Sequence, residues 1–281
     1  MSSEEWDMPA PLVDLADVKD TSPVLWSDNG LLYLVWGGSG LAGTAFRWRV
    51  SPDRGASWGP VQLPHIVGRQ GDSSAQPIST MLRRADGTIY LAGDAVGSAS
   101  FLWATRDGGR SWFDTGGRTG GRHTVFARLR DGSLLGLGGK ASDIEGYMPM
   151  SVSRDGGRTW DIRKSPFPAL GPNKQRPALI RLASGRLFYA GDWQNTYGQA
   201  PPGLTQRGAF VALSSDEGAT WRIKNLPGAL PHARYALRRR PGWPSEPSGH
   251  PSLSYAVAAQ APNGVIHLAH LLTTTRPSTS R

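Results

Sequence analysis

Apolar residues fall in short runs separated by glycine turns, and five of these turns repeat one design. Val24 to Ser27 and Leu31 to Val35 flank Asn29-Gly30, and Met81 to Arg83 and Thr88 to Leu91 flank Asp86-Gly87. Val125 to Arg128 and Ser133 to Leu135 flank Asp131-Gly132, Ala178 to Leu182 and Arg186 to Tyr189 flank Ser184-Gly185, and Tyr255 to Ala259 and Val265 to Leu268 flank Asn263-Gly264. Asn-Gly, Asp-Gly and Ser-Gly between apolar runs predict β-hairpins with two-residue type I′ turns, which need φ > 0 at both central residues. Long helical periodicity is absent.

A second turn alternates with the first. Ser51-Pro-Asp53-Arg-Gly55-Ala-Ser57-Trp58, Thr105-Arg-Asp107-Gly-Gly109-Arg-Ser111-Trp112, Ser153-Arg-Asp155-Gly-Gly157-Arg-Thr159-Trp160 and Ser214-Ser-Asp216-Glu-Gly218-Ala-Thr220-Trp221 all read [ST]-x-D-x-G-x-[ST]-W. In such a turn the carboxylate accepts backbone N–H groups, the glycine supplies φ > 0, and the first hydroxyl ties the strand end to the turn. The tryptophan packs beside the hairpin. Each of the first four glycine hairpins is followed by one such box, so each unit holds two hairpins, or four strands. Four-stranded units repeating at roughly fifty residues predict an all-β fold, a β-propeller of antiparallel blades with at least five visible. The fifth hairpin has no box after it. Either residues near Leu12 to Val18 supply a closing strand, or the chain is a fragment lacking part of the ring.

The chain has 281 residues, read here as a single domain over 1–281, with 36 Gly, 22 Pro and 11 Trp, a composition suited to many short strands and tight turns. A net charge of +9 favours anionic partners. The densest cationic cluster, Arg238-Arg239-Arg240, lies in a proline-rich stretch without interleaved aromatics, so nucleic acid is not the expected partner. The absence of cysteine removes disulfides, thiolate metal sites and a cysteine nucleophile. His267 and His270 fall on opposite faces of a strand, and the six histidines have no metal-ligand spacing, so neither metal nor cofactor is expected. No run of eighteen apolar residues predicts a membrane span, and the start lacks a basic segment followed by an apolar one, as in a soluble chain without an export signal. A trimmed mature sequence reads the same way.

The boxes resemble the Asp boxes, or BNR repeats, of the sialidase (neuraminidase) superfamily, and the resemblance runs from Val24 to Leu271, including Gly171 to Leu187 and the closing segment from Ser254 to His267. It implies a six-bladed propeller with its active site in the central hollow at one face, and boxes on the outer rim, so that Asp53, Asp107, Asp155 and Asp216 are structural. The residues leading into inner strands should face that hollow: Lys19-Asp20, Asp72 with Gln76, Arg122-His123, Lys174-Gln175-Arg176, and His250. Cations from three blades suit a carboxylated sugar, because arginine grips a carboxylate with two parallel bonds.

By resemblance, three arginines hold the substrate carboxylate, here Arg122, Arg176 and Arg234. A tyrosine, Tyr235 or Tyr255, is the nucleophile, activated by Glu145 or Glu246, and Asp72 is the acid. A neutral phenol suits the task because an anionic anomeric centre repels a carboxylate nucleophile. The family's Phe-Arg-Ile-Pro element has no counterpart in Asp20 to Val24, and no clear acid falls between Tyr33 and Ser51. Three functions follow: a sialidase-like glycoside hydrolase acting on an acidic glycan or sialoglycoconjugate; a non-catalytic glycan- or protein-binding propeller; and a uronate lyase in which His123 or a tyrosine abstracts the proton beside a carboxylate held by Arg122 and Arg176.

Overall fold

The two turn series fold as alternating hairpins in a computed structural model that describes residues 19–39, 44–68, 73–140, 142–170, 176–193, 199–226, 253 and 255–270. Blade 1 holds β1 (Lys19–Asp28), β2 (Leu31–Ser39) and β3 (Arg47–Ser51), with a Trp48–Gln62 bridge where a fourth strand would pair. Blade 2 holds β4 (Ser73–Arg83), β5 (Ile89–Ala95), β6 (Ser100–Thr105) and β7 (Phe113–Asp114). Blade 3 holds β8 (Val125–Arg128), β9 (Leu134–Leu137), β10 (Tyr147–Ser153) and β11 (Asp161–Pro168). Blade 4 holds β12 (Ala178–Arg181), β13 (Leu187–Trp193), β14 (Gly208–Ser214) and β15 (Arg222–Asn225), and β16 (Ala256–Gln260) pairs with β17 (Ile266–His270) as a fifth sheet. Within each sheet the described strands pair antiparallel with their chain neighbours. The first strands of consecutive blades touch, β1 to β4, β4 to β8, β8 to β12 and β12 to β16, and so line the centre of a propeller. The segment near Leu12 to Val18 lies outside the described residues.

The inner hairpins are a correction. Only Asn29 (φ 49°) and Gly30 (φ 80°) both take positive φ, as type I′ requires. In the other four the glycine alone is left-handed, and two bonds close a three-residue loop, as where Gly87 N donates to Arg84 O (3.1 Å) and Arg84 N to Thr88 O (2.9 Å). This is a type I turn with a bulge. The polar residue before the glycine holds the loop by its side chain: Asp86 Oδ1 accepts from Thr88 N (3.0 Å) and Asp131 Oδ1 from Ser133 N (2.9 Å).

The boxes carry the expected bonds. In the first, Ser57 N donates to Asp53 Oδ1 (2.7 Å), Ser57 Oγ to Asp53 Oδ2 (2.6 Å), and Ser51 Oγ accepts from Gly55 N (2.7 Å). The residue before the box glycine is left-handed too: Arg54, Gly108, Gly156 and Glu217 all have positive φ.

The apolar cores lie between blades. Val24, Val35 and Phe46 pack with Leu91 and Trp103 across blades 1 and 2, and Tyr90 and Leu102 pack with Phe126 and Leu134 across blades 2 and 3. Met148 and Phe167 meet Tyr189 and Phe210 across blades 3 and 4, and Phe188 and Ala190 meet Ala256 in the next seam. Three box tryptophans enter these seams: Trp112 edge-on to Phe46 (5.1 Å), Trp160 beside Phe126 (5.5 Å), and Trp221 edge-on to Phe167 (5.1 Å). Among the described residues no helix is long and apolar enough to cross a membrane.

Candidate functional site

Strand-leading residues of blades 3 and 4 gather near one buried carboxylate of blade 2, Asp94, at the end of β5 (0% exposed). Asp94 Oδ1 accepts from Ser100 Oγ (2.9 Å) and from the backbone N–H of His123 (2.9 Å). Its Oδ2 lies 3.3 Å from His123 Nε2 and 3.5 Å from Arg122 Nη2. Ser100 Oγ also accepts from Thr124 N (3.1 Å), so a side-chain pair fixes both peptides that lead into β8. His123 is 2% exposed and left-handed (φ 56°), a conformation that few non-glycine residues adopt without a tether.

Blade 4 brings Arg176, whose backbone pairs with Tyr255 and whose carbonyl accepts from Ala256 N (3.0 Å). Its guanidinium lies over the Tyr255 ring, 5.2 Å from the centroid. His123 also neighbours that ring, tilted at 6.2 Å between centroids. Arg176 Nη2 reaches Ser22 Oγ of blade 1 at 3.5 Å, and Ser22 Oγ accepts from Gln76 Nε2 of blade 2 at 3.2 Å. Burial lowers the Arg176 pKa, opposed by the charge of Asp94 and by Tyr255 and reinforced by Arg122, so these four groups share one field. The guanidinium remains cationic.

The Nε–H groups of Arg122 and Arg176 are both buried without a partner, and their outer contacts, to Asp94 and Ser22, are long at 3.5 Å. Two neighbouring cations with unspent donors retain capacity for further charge-assisted bonds to an anion.

The structure thus brings Gln76, Arg122, His123, Arg176 and Tyr255 together. Glu145 is placed elsewhere: it is exposed on the β9–β10 connection and bonds Lys164 Nζ of the outer strand at 2.6 Å. That cation holds its carboxyl below the usual range. Asp72, Lys174, Arg234, Tyr235, Glu246 and His250 lie outside the described residues. Asp20 serves its own blade, accepting from Trp36 Nε1 (2.6 Å) and facing the buried Arg47 at 3.5 Å.

Asp94 was not among the expected residues. Its signal is a recurring tripeptide at the end of a second strand, Ala92-Gly93-Asp94 and Ala190-Gly191-Asp192. Asp192 does the same backbone task two seams further on, with both oxygens 2.8 Å from Leu253 N. Among the described residues no group of three His, Asp or Glu could hold a metal ion.

The fold is similar to that of an α-L-arabinanase from Penicillium chrysogenum solved with arabinobiose, at TM-score 0.57 and 19% identity over 89% of this chain and 75% of that one. A Dyadobacter fermentans protein of unknown function matches at TM-score 0.53 and 14% identity, over 89% of this chain and 74% of that one. A Trypanosoma rangeli sialidase solved with sialic acid matches at TM-score 0.53 and 11% identity, over 89% of this chain and 44% of that one. The chain therefore spans less than half the length of that sialidase. At these identities the likeness concerns the fold. No curated protein matches the chain. A family model described as a BNR repeat-like domain matches residues 1–268, and the chain belongs to that family of sialidase-like, BNR-repeat propellers.

Proposed function

We propose that the chain binds a carboxylated sugar in the central hollow and acts on it as a sialidase-like glycoside hydrolase, with residues 1–281 forming one propeller domain. The observation that carries this reading is the pair of guanidiniums, Arg122 and Arg176, each with a buried unpartnered Nε–H, beside Asp94 and Tyr255. The substrate carboxylate bridges the two arginines, which fixes the sugar by charge-assisted bonds. Tyr255 is the nucleophile, since a neutral phenol approaches an anionic anomeric centre without charge repulsion. His123, held by Asp94 and 6.2 Å from Tyr255 between ring centroids, takes the phenol proton in place of the exposed Glu145.

Turnover of a fluorogenic sialoside tests the reading. Arg176→Ala should lower kcat/KM about 100-fold or more, the loss of a charged bond made to substrate. Tyr255→Phe should abolish turnover, and Glu145→Gln should change it less than about twofold, as for an exposed ion pair. Turnover that survives intact in Arg176→Ala overturns the proposal.

Binding without catalysis is the second reading, favoured by the position of Glu145 and by the structural bonds that occupy Asp94. A glycan array that retains acidic sugars with no product released would establish it. An unsaturated product absorbing in the ultraviolet would instead mark lyase chemistry at His123.

A further inference from the structure

At the box end of the propeller, away from the hollow, a cavity of about 240 Å³ opens in the seam between blades 2 and 3. Arg84 borders it from the β4–β5 turn, Arg106 from the second box and Arg158 from the third, together with Tyr90 and Thr115. The two carboxylates present are already engaged. Asp155 accepts from Ser153 Oγ (2.8 Å), Arg158 N (3.0 Å), Thr159 N (3.0 Å) and Thr159 Oγ1 (2.6 Å). Asp86 accepts from Thr88 N (3.0 Å) and stands 3.7 Å from Arg84. Arg84 otherwise has a 3.5 Å contact to the Tyr90 hydroxyl, and the buried Thr115 Oγ1 has no partner.

The repeat supplies an internal comparison. In the next seam the box of blade 4 places Glu217, left-handed at φ 61°, against blade 3. Its Oε2 accepts from Arg130 N (2.8 Å) and Arg181 Nη2 (2.6 Å), and its Oε1 from Arg181 Nη1 (3.0 Å). That seam carries its own anion among arginines. The same box position in blade 3 is Gly156 (φ 77°), where a Cβ would come within 2.9 Å of the Tyr90 hydroxyl and 3.0 Å of Arg84 Nη1. Arginines border this seam too, from other positions of the repeat (Arg84, Arg106 and Arg158), and the carboxylate at the Glu217 position is missing.

We propose that this seam binds a tetrahedral oxyanion, the sulfate or phosphate ester of a sugar, where blade 4 uses Glu217. Three guanidiniums from three turns offer convergent donors, the Thr115 and Tyr90 hydroxyls add two more, and the cavity has room for an ester group and part of its ring. The site is independent of the hollow and of the activity proposed there.

Isothermal titration at constant ionic strength tests it with inorganic sulfate, inorganic phosphate, glucose 6-sulfate and glucose 6-phosphate, on the full chain. Saturable binding is expected, and the tighter ester identifies the ligand. Arg84→Gln should weaken it about tenfold or more, the effect of one charged bond. Gly156→Glu, which supplies the tethered carboxylate found in blade 4, should abolish it, and a circular dichroism spectrum like the parent's would show that the fold is kept. Arg176→Ala in the hollow should leave it unchanged. Heats that do not saturate, or that are equal in the parent, Arg84→Gln and Gly156→Glu, mean an adventitious ion only and overturn the proposal.

Discussion

Replacing Asp94 by alanine removes the acceptor that holds the peptide ahead of β8. The His123 N–H, buried and 2.9 Å from Asp94, is left unsatisfied, which costs about 1–3 kcal/mol. The Ser100 hydroxyl loses a 2.9 Å acceptor, worth about 1 kcal/mol, although it keeps its bond from Thr124 N. Arg122 adds less than about 1 kcal/mol, because it is 34% exposed and its pairing distance is long at 3.5 Å. Asp94→Ala should therefore destabilise by about 2–5 kcal/mol in urea unfolding, and Asp94→Asn, which keeps one carbonyl oxygen, by about 1–2 kcal/mol. Asp192→Ala, removing the same clasp from Leu253 N, is the matched comparison. Sugar binding should fall further than stability predicts, since Arg122 and His123 lose their positions together. An Asp94→Ala protein within about 1 kcal/mol of the parent would refute the view that this carboxylate holds the left-handed turn at His123.

Two further outcomes follow from the turns. The box carboxylates titrate low, Asp53, Asp155 and Asp216 down to about 2 and Asp107 in the same direction, chiefly because a Ser or Thr hydroxyl and the neighbouring N–H groups favour the charged form. A depressed folded pKa gives stability that is present above the ordinary value of 3.8 and lost as pH falls towards about 2, so melting temperature should drop through that window and drop less steeply in Asp155→Asn. An equal slope in the variant would sink the assignment. Among glycines, Gly138→Ala should cost about 1–3 kcal/mol or more, because its Cβ would lie 2.3 Å from the Thr124 Cα, whereas Gly132→Ala meets nothing and pays only for its φ of 85°, about 1 kcal/mol. Urea midpoints in the reverse order would contradict this.

What could be read from the chain is what neighbouring residues decide among themselves. An Asp box closes its bonds within eight residues, and the glycine turns lie between strands that pair directly, so the blades were legible. The turn type was misjudged because Asp86 and Asp131 clasp the next peptide but one, an option that favours a bulged loop over a two-residue turn. In the hollow, Arg122, His123 and Arg176 were legible as residues that lead into inner strands. Asp94 was not, because its partners His123 and Arg122 belong to the next blade and nothing in the order of the chain joins them. Glu145 misled for the opposite reason: the connection that bears it runs outward to β10, where Lys164 meets it.

The box tryptophans give the assembly a direction. Trp112 and Trp221 each fill a seam whose other wall belongs to the preceding blade, and Trp160 lies against a cluster built from blades 2 and 3. A blade therefore finishes its predecessor's core, which couples the stability of neighbouring blades through the seams they share. Damage to one box should loosen the junction behind it more than the sheet that bears it, and hydrogen exchange should report the loss one blade upstream of the substitution.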